Sequence, residues 1–333
     1  MSRENPWGLG PGREFELIRR LLDTGEAPPP GVLVGPGDDC LVLDDGVAIS
    51  VDLTVEGIHF RRDWFSLEDA GYRGTAGALS DLAAMGAEPL GVLLSMGLAP
   101  EEAPESSRAL QKGAREACRR EGIQILGGDL SRSPGPAFLD VTVLGRVERP
   151  LRRGGCRPGD EVWVTGWVGG AAAALHLLAQ GAVPPDSLRE RLLRPRPRIR
   201  EVRWLRKRAT LNAGIDLSDG LAGDTGHLAA ASGVGLVLQE NRIPLDPGME
   251  AVLSNPETRL HFGLKGGEDY EVCVTAAPGE LDPLAGGFQQ SFGIPLTRIG
   301  RIEEGRGAFL QDSSGRRKGL SGGFDHFPDK ERE

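Results

Sequence analysis

Acidic residues in this chain repeatedly sit in tight corners, beside glycine or at the end of an apolar run. They are Gly37-Asp38-Asp39, Val51-Asp52, Leu79-Ser80-Asp81, Gly127-Gly128-Asp129, Ile215-Asp216-Leu217-Ser218-Asp219 and Gly266-Gly267-Glu268-Asp269. A carboxylate that only solvates a surface needs no constrained backbone. Carboxylates converging on hard cations do, and Mg²⁺ takes oxygen ligands that it shares with substrate phosphates. The pattern predicts a metal-dependent enzyme acting on phosphorylated small molecules.

Local structure explains some corners better than others. If Ile215 ends a strand, Asp216 lies at its tip and Ser218 caps the next helix. Asp216 and Asp219 can then face one crevice beside backbone N–H groups that favour an anion. Taken alone, the motif fits a pair of helix-capping acids better; the other acid–glycine corners favour the metal reading, since one helix needs only one cap. Asp38 and Asp39 follow Gly-Pro-Gly and fit a plain turn as well. Ser50 and Asp52 share the polar face of a strand that is otherwise hydrophobic. Asp81 lies in an Ala/Leu-rich helix with no basic residue within a turn on either side, and a buried acid requires a partner such as a cation. Gly127 and Gly128 let a backbone approach a phosphate or base, with Asp129 on metal. His59 fits a substrate contact or a histidine packed in a loop.

These residues need elements to hold them. Glu14–Leu22 reads as a short helix, followed by a Pro-rich break at Ala27-Pro28-Pro29-Pro30. Strands are predicted at Cys40–Leu43 and Val47–Asp52, the latter with Val47, Ile49 and Val51 on one face and Ala48, Ser50 and Asp52 on the other. Ser66-Leu67-Glu68-Asp69 is a capping box opening a helix through Met85, with Tyr72, Ala76, Leu79 and Ala83 on one stripe. Gly91–Leu98 and Leu139–Val147 read as strands, Gln124–Leu126 as a short one, and Glu105–Arg120 as an amphipathic helix. Arg149–Asp160 lacks apolar periodicity and marks the boundary between domains over 1–148 and 149–333. Beyond it come a strand at Glu161–Thr165, a helix at Ala171–Ala179, a strand near Gly214-Ile215, a helix over Leu221–Ala231, and strands near Val234–Leu238 and Tyr270–Val274. Strands and helices mixed in both halves predict two α/β or α+β domains. Leu-Ser-Asp at 79–81 and 217–219, each followed by Gly-Gly-acid, gives a faint internal echo.

Composition narrows the class. The 333 residues allow two cores, and a net charge of -9 disfavours a nucleic-acid surface. Lysine appears only at 112, 207, 265, 318 and 330; arginine supplies the other cations, through compositional drift more than phosphate recognition. Four scattered cysteines without a CxxC pair predict a reducing, cytoplasmic setting, and no apolar run is long enough to span a membrane. The amino terminus has no secretory pattern. Thr165-Gly166-Trp167-Val168-Gly169-Gly170 lacks the Lys-Ser/Thr of a Walker A loop and is not GxGxxG, so any ATP is held by another device.

With these motifs in order, the chain resembles the thiamine-monophosphate kinase family, within the superfamily of aminoimidazole-ribotide synthetase and selenophosphate synthetase. The resemblance runs over about residues 12 to 327. It is carried by Gly37-Asp38-Asp39, Asp52 through His59-Phe60, Leu79 through Ala87, Gly127-Gly128-Asp129, Asp216 through Leu221, Gly267 through Glu271, and Gly323-Phe324-Asp325-His326-Phe327. It implies two α/β domains of the aminoimidazole-ribotide-synthetase type, with mixed sheets flanked by helices and an N-terminal sheet completing a barrel across a homodimer. It implies transfer of phosphate from ATP, as co-substrate, to thiamine monophosphate. Asp39, Ser50, Asp52, Asp81, Asp129, Asp216 and Asp219 would hold several Mg²⁺ ions. Gly128, Asp129, Arg153 and Ser218 would contact ATP, and His59, Glu268 and Phe324 the thiamine phosphate.

Three positions depart from the family: Val51 in place of a threonine, Ala78 of an asparagine and Leu130 of a threonine. Every matched carboxylate is present, so they vary the outer ligands. The nucleophile would be a phosphate oxygen already anionic, so direct in-line transfer needs no catalytic group beyond the metal ligands. A related ATP-dependent synthetase and a catalytically silent nucleotide-binding maturation factor are the alternatives.

Overall fold

Ser66 starts the helix on which the fold is built. In the computed structural model, which describes residues 12–22, 29–324, 326 and 327, its side chain accepts from the Asp69 N–H. The Asp69 carboxylate returns the bond to the Ser66 N–H, closing the expected capping box at the head of α2 (Leu67–Ala84). Tyr72, Ala76, Leu79 and Ala83 are all buried, but so is most of the helix: α2 is wrapped by both halves of the chain, not laid on a surface. The amino-terminal residues to 11, Ala27-Pro28 and Asp325 lie outside the described residues.

The N-terminal half opens with α1 (Arg13–Leu22) and the strands β1 (Val32–Val34), β2 (Leu41–Leu43) and β3 (Val47–Val55). After α2 come β4 (Glu88–Leu98), α3 (Ala103–Arg120), β5 (Ile125–Arg132) and β6 (Phe138–Arg146). The sheet runs β1-β2-β3-β6-β4-β5, antiparallel except between β4 and β5. Helices α2 and α3 meet at backbone contact. A Cβ on Gly71 would fall 2.0 Å from the Leu110 carbonyl oxygen, and one on Gly113 1.8 Å from that of Glu68.

The C-terminal half contains β7 (Glu161–Thr165), α4 (Gly170–Ala179), α5 (Asp186–Leu193), α6 (Ile199–Arg206), β8 (Leu211–Asp216), α7 (Leu221–Ser232) and β9 (Gly235–Gln239). It ends with α8 (Pro256–Lys265), β10 (Val272–Ala276), α9 (Asp282–Phe292), β11 (Leu296–Glu303), β12 (Gly307–Gln311) and β13 (Arg317–Gly319). The second sheet runs β13-β12-β9-β11-β7-β10-β8, with a single parallel pairing, β12 to β9. Both halves are thus mixed sheets flanked by helices, as expected. One core cluster runs from Val34 and Leu82 through α6 to Phe288, so the halves share a continuous interior.

Two expectations need correction. The short strand at 124–126 extends to Arg132 and carries Gly-Gly-Asp with it. The internal echo has no structural counterpart, since Ser80-Asp81 sits inside a helix while Ser218-Asp219 precedes one. The polar face of β3 is the inward one. Ala48 and Thr54 are buried there beside Ser50 and Asp52, whereas Val51 is 56% and Leu53 51% exposed on the other side. The inversion follows from what each face meets: α2 and its acid on one side, an uncovered apolar surface on the other.

Candidate active site

Three chain segments bring acids to one point under the N-terminal sheet. The turn after Gly37, whose φ of +101° suits only glycine, delivers Asp39. The last turns of α2 deliver Asp81, and the end of β8 delivers Asp216. Each offers a carboxylate oxygen, all within 4.8 Å of one another. Ser50 Oγ on β3 donates to Asp81 Oδ2 at 2.5 Å, and Arg153 grips Asp39 through Nε at 3.1 Å and through Nη2.

The electrostatics mark the cluster as under-compensated. Burial, then Asp52, Asp216 and Asp39, hold Asp81 well above the carboxylate range, with Ser50 opposing. Burial and Asp39 do the same to Asp216, and the Ser80 hydroxyl and Arg153 pull back. Burial, reinforced by Asp140, pushes Asp52 up to about 6. Asp38 is pushed up to about 7 by burial and by Asp39, against Arg153. Buried Asp39 Oδ2 meets no hydrogen-bond partner among the described residues. An orphaned oxygen amid an all-oxygen donor set fits a hard divalent cation.

A cavity of about 900 Å³ opens beside the cluster. Asp52, Asp81, Asp216, Ser218 and Asp219 line one part of it, and His59, Glu268 and Phe324 another. Burial, then His326, lowers His59, whose Nδ1 accepts from the Val55 N–H at 3.1 Å. The His59 and His326 rings lie 5.0 Å apart, and those of Phe324 and His326 4.8 Å, so aromatic faces rim the cavity. The loop holding Glu268 is stitched to the acid loop: Glu268 N–H donates to Ser218 O at 2.8 Å and Tyr270 N–H to Leu217 O at 2.9 Å.

Two expected residues stand elsewhere. Gly128 and Asp129 are on the edge strand β5. The row Asp52–Val141–Leu94–Gly128 crosses four strands, placing Gly128 about 14 Å from Asp52. Asp129 pairs with Ser95, which alternates with the buried Leu94 and Met96, so it faces the outer side with Val51 and Leu53. The Gly128 signal has a backbone cause: a Cβ there would lie 1.7 Å from the Leu94 carbonyl oxygen, so glycine lets β5 close on β4. Val51, a family departure, is also on the outer face, away from Asp39, Asp81 and Asp216.

Sequence reasoning missed Arg73, buried in α2 and paired with Glu268; a cation inside an Ala/Gly-rich helix was the available signal. It also missed Asp224 and His227 on α7, which with Asp219 offer ligand atoms within 4.8 Å of one another. Asp224 Oδ2 accepts from the Asp219 and Gly220 N–H groups at 3.3 and 3.0 Å, so it also shapes the acid loop. Their spacing of three on one helix was the sign. Among the described residues, no helix is long and apolar enough to cross a membrane, and all four cysteines are buried and free.

The chain resembles known proteins along most of its length. The family model for AIR synthase related protein, N-terminal domain, matches residues 37–147, and that for the C-terminal domain matches 157–313. The chain is 36% identical to a thiamine-monophosphate kinase of Escherichia coli K12, over 87% of this chain and 90% of that one. It is 33% identical to one of Methanopyrus kandleri, over 92% and 94%. The structure of AaThiL complexed with AMPPCP and TMP superposes with a TM-score of 0.81 at 30% identity, covering 98% and 99% of the two chains.

Proposed function

The chain belongs to the thiamine-monophosphate kinase family of AIR synthase related proteins, and from that premise we propose that it phosphorylates thiamine monophosphate with ATP to give thiamine diphosphate. The observation that carries the reading is the joining of the Asp39–Asp81–Asp216 cluster to a cavity walled by His59, Glu268 and Phe324. Asp39, Asp52, Asp81, Asp216 and Asp219, with Ser50, would hold Mg²⁺. Bound there, magnesium would offset the charge that keeps two phosphate groups apart. Ser218 and the backbone beside it would receive the nucleotide, while His59 and Phe324 pack on the thiamine rings and Glu268 accepts from them. The attacking phosphate oxygen is already anionic, so these residues need only align it for direct in-line transfer, and no side chain is phosphorylated.

The protein would act as a cytoplasmic homodimer, with residues 1–148 as the pairing domain and 149–333 closing the cleft. The uncovered outer face of the N-terminal sheet, with Val51, Leu53, Leu93 and Leu126 exposed, supports pairing. Asp129 would meet metal only in that assembly, because it belongs to the face a partner would cover, and Gly128 beside it on the edge strand would meet the nucleotide there.

The test is a coupled assay with thiamine monophosphate, ATP and Mg²⁺. The expected result is ADP and thiamine diphosphate in equal amounts, without free phosphate. ATP consumed only with another acceptor, with free phosphate released, would favour a synthetase; no turnover at all would favour a silent nucleotide-binding factor.

A further inference from the structure

We propose that Arg73 is a positioning residue that holds Glu268 and His59 in place as one preformed wall of the cavity, across the two halves of the chain. The inference rests on the reading of that cavity as the thiamine phosphate site. Arg73 projects from the middle of α2 and is almost fully buried. Its Nη2 pairs with Glu268 Oε1, and its Nη1 donates to the His59 carbonyl oxygen at 3.0 Å. The guanidinium also lies 5.1 Å from the centre of the Phe65 ring. One cation therefore ties a strand-end loop of the first domain to the Gly266–Tyr270 loop of the second.

Two local costs accompany this arrangement. Glu268 adopts φ +71° and Tyr270 φ +50°, a left-handed backbone that side-chain-bearing residues avoid. Arg73 Nε is buried with no hydrogen-bond partner among the described residues. Strain and an unmet donor at one spot persist where the surroundings over-determine a geometry that is used. The planar guanidinium reaches two acceptors at once, which a lysine ammonium at the end of a flexible stem does not reproduce.

The test compares Arg73→Met, Arg73→Lys, Glu268→Gln and the Arg73→Met/Glu268→Gln double variant in the full chain. Arg73→Met is expected to raise the KM for thiamine monophosphate about tenfold to a hundredfold, the range for a lost charge-assisted bond, and to leave the KM for ATP unchanged. The double variant should be no worse than the poorer single one, because both changes break one linkage. Arg73→Lys should restore the melting temperature but not the KM. Hydrogen exchange of the 266–271 amides should quicken in Arg73→Met without substrate present. Additive effects, equal losses for both substrates, or unchanged exchange at 266–271 would overturn the proposal. If the wild-type chain ignores thiamine monophosphate, the substrate reading fails, and exchange at 266–271 still decides whether Arg73 braces the loop.

Discussion

Ser50 Oγ lies 2.5 Å from Asp81 Oδ2, joining the N-terminal sheet to the central helix at the point where the acids converge. The bond places Asp81 at the junction of the cluster, where Asp52, Asp216 and Asp39 all act on its carboxylate. Replacing it by asparagine should separate stability from activity. Asp81→Asn is expected to lower kcat by at least about a hundredfold, the scale of losing one preorganised electrostatic contact. Without divalent cations it should melt higher than the wild type, since a repelling buried charge is gone. Steady-state rates and melting curves with and without Mg²⁺ check both halves.

Asp52 supplies a pH signature. Its carboxyl is pushed from 3.8 up to about 6, so the neutral form is favoured in the fold and ionisation opposes folding. The associated stability is fully present below pH 3.8 and is lost as pH rises through about 6. The gap corresponds to roughly 3 kcal/mol. In metal-free buffer, Asp52→Asn should match the wild type near pH 4 and exceed its stability above pH 6. A difference that stays constant from pH 4 to 7 contradicts this assignment.

Arg153 was expected at the nucleotide, yet its guanidinium holds Asp39, whose side chain is fully buried. Arg153→Met should leave an unpaired buried carboxylate and destabilise the chain by about 3–5 kcal/mol. Added Mg²⁺ should recover part of that loss by supplying another cation to Asp39. Urea titrations at fixed pH with and without Mg²⁺ measure the effect. A raised KM for ATP at unchanged stability would return Arg153 to the nucleotide.

Leu53 and Leu93 test the uncovered sheet face. Leu53→Arg should convert a dimer into a monomer on light scattering while keeping the melting transition cooperative, because Leu53 is exposed on the outer face of one chain. An unchanged mass would mean that the face stays open.

The parts of the fold legible in sequence were those with a local physical cause. Ser66 and Asp69 satisfy each other's backbone groups, so the head of α2 could be placed to the residue. The turn at Gly37 and the strand ending at Asp216 also have local causes, a φ that only glycine adopts readily and an apolar run that stops at an acid. Position 51 was harder: alternation along β3 is plain, but which face is interior depends on α2, and an apolar face left open reverses the usual expectation. Gly128 carried a real constraint whose object, the Leu94 carbonyl, lies far away in the chain. Arg73 has no local sign of its role, since it lies about two turns from Asp81 and its partner Glu268 arrives from the other domain.

Arg73 and Asp81 stand eight residues apart on one unbroken helix, a separation of about 12 Å along its axis. With α2 pinned against α3 by the reciprocal approach at Gly71 and Gly113, that spacing cannot stretch. On the proposed reading of the cavity, the helix would work as a caliper with one jaw at the organic end and the other at the acids. Acceptors whose phosphate hangs on a longer or shorter arm would be gripped at one jaw and miss the other.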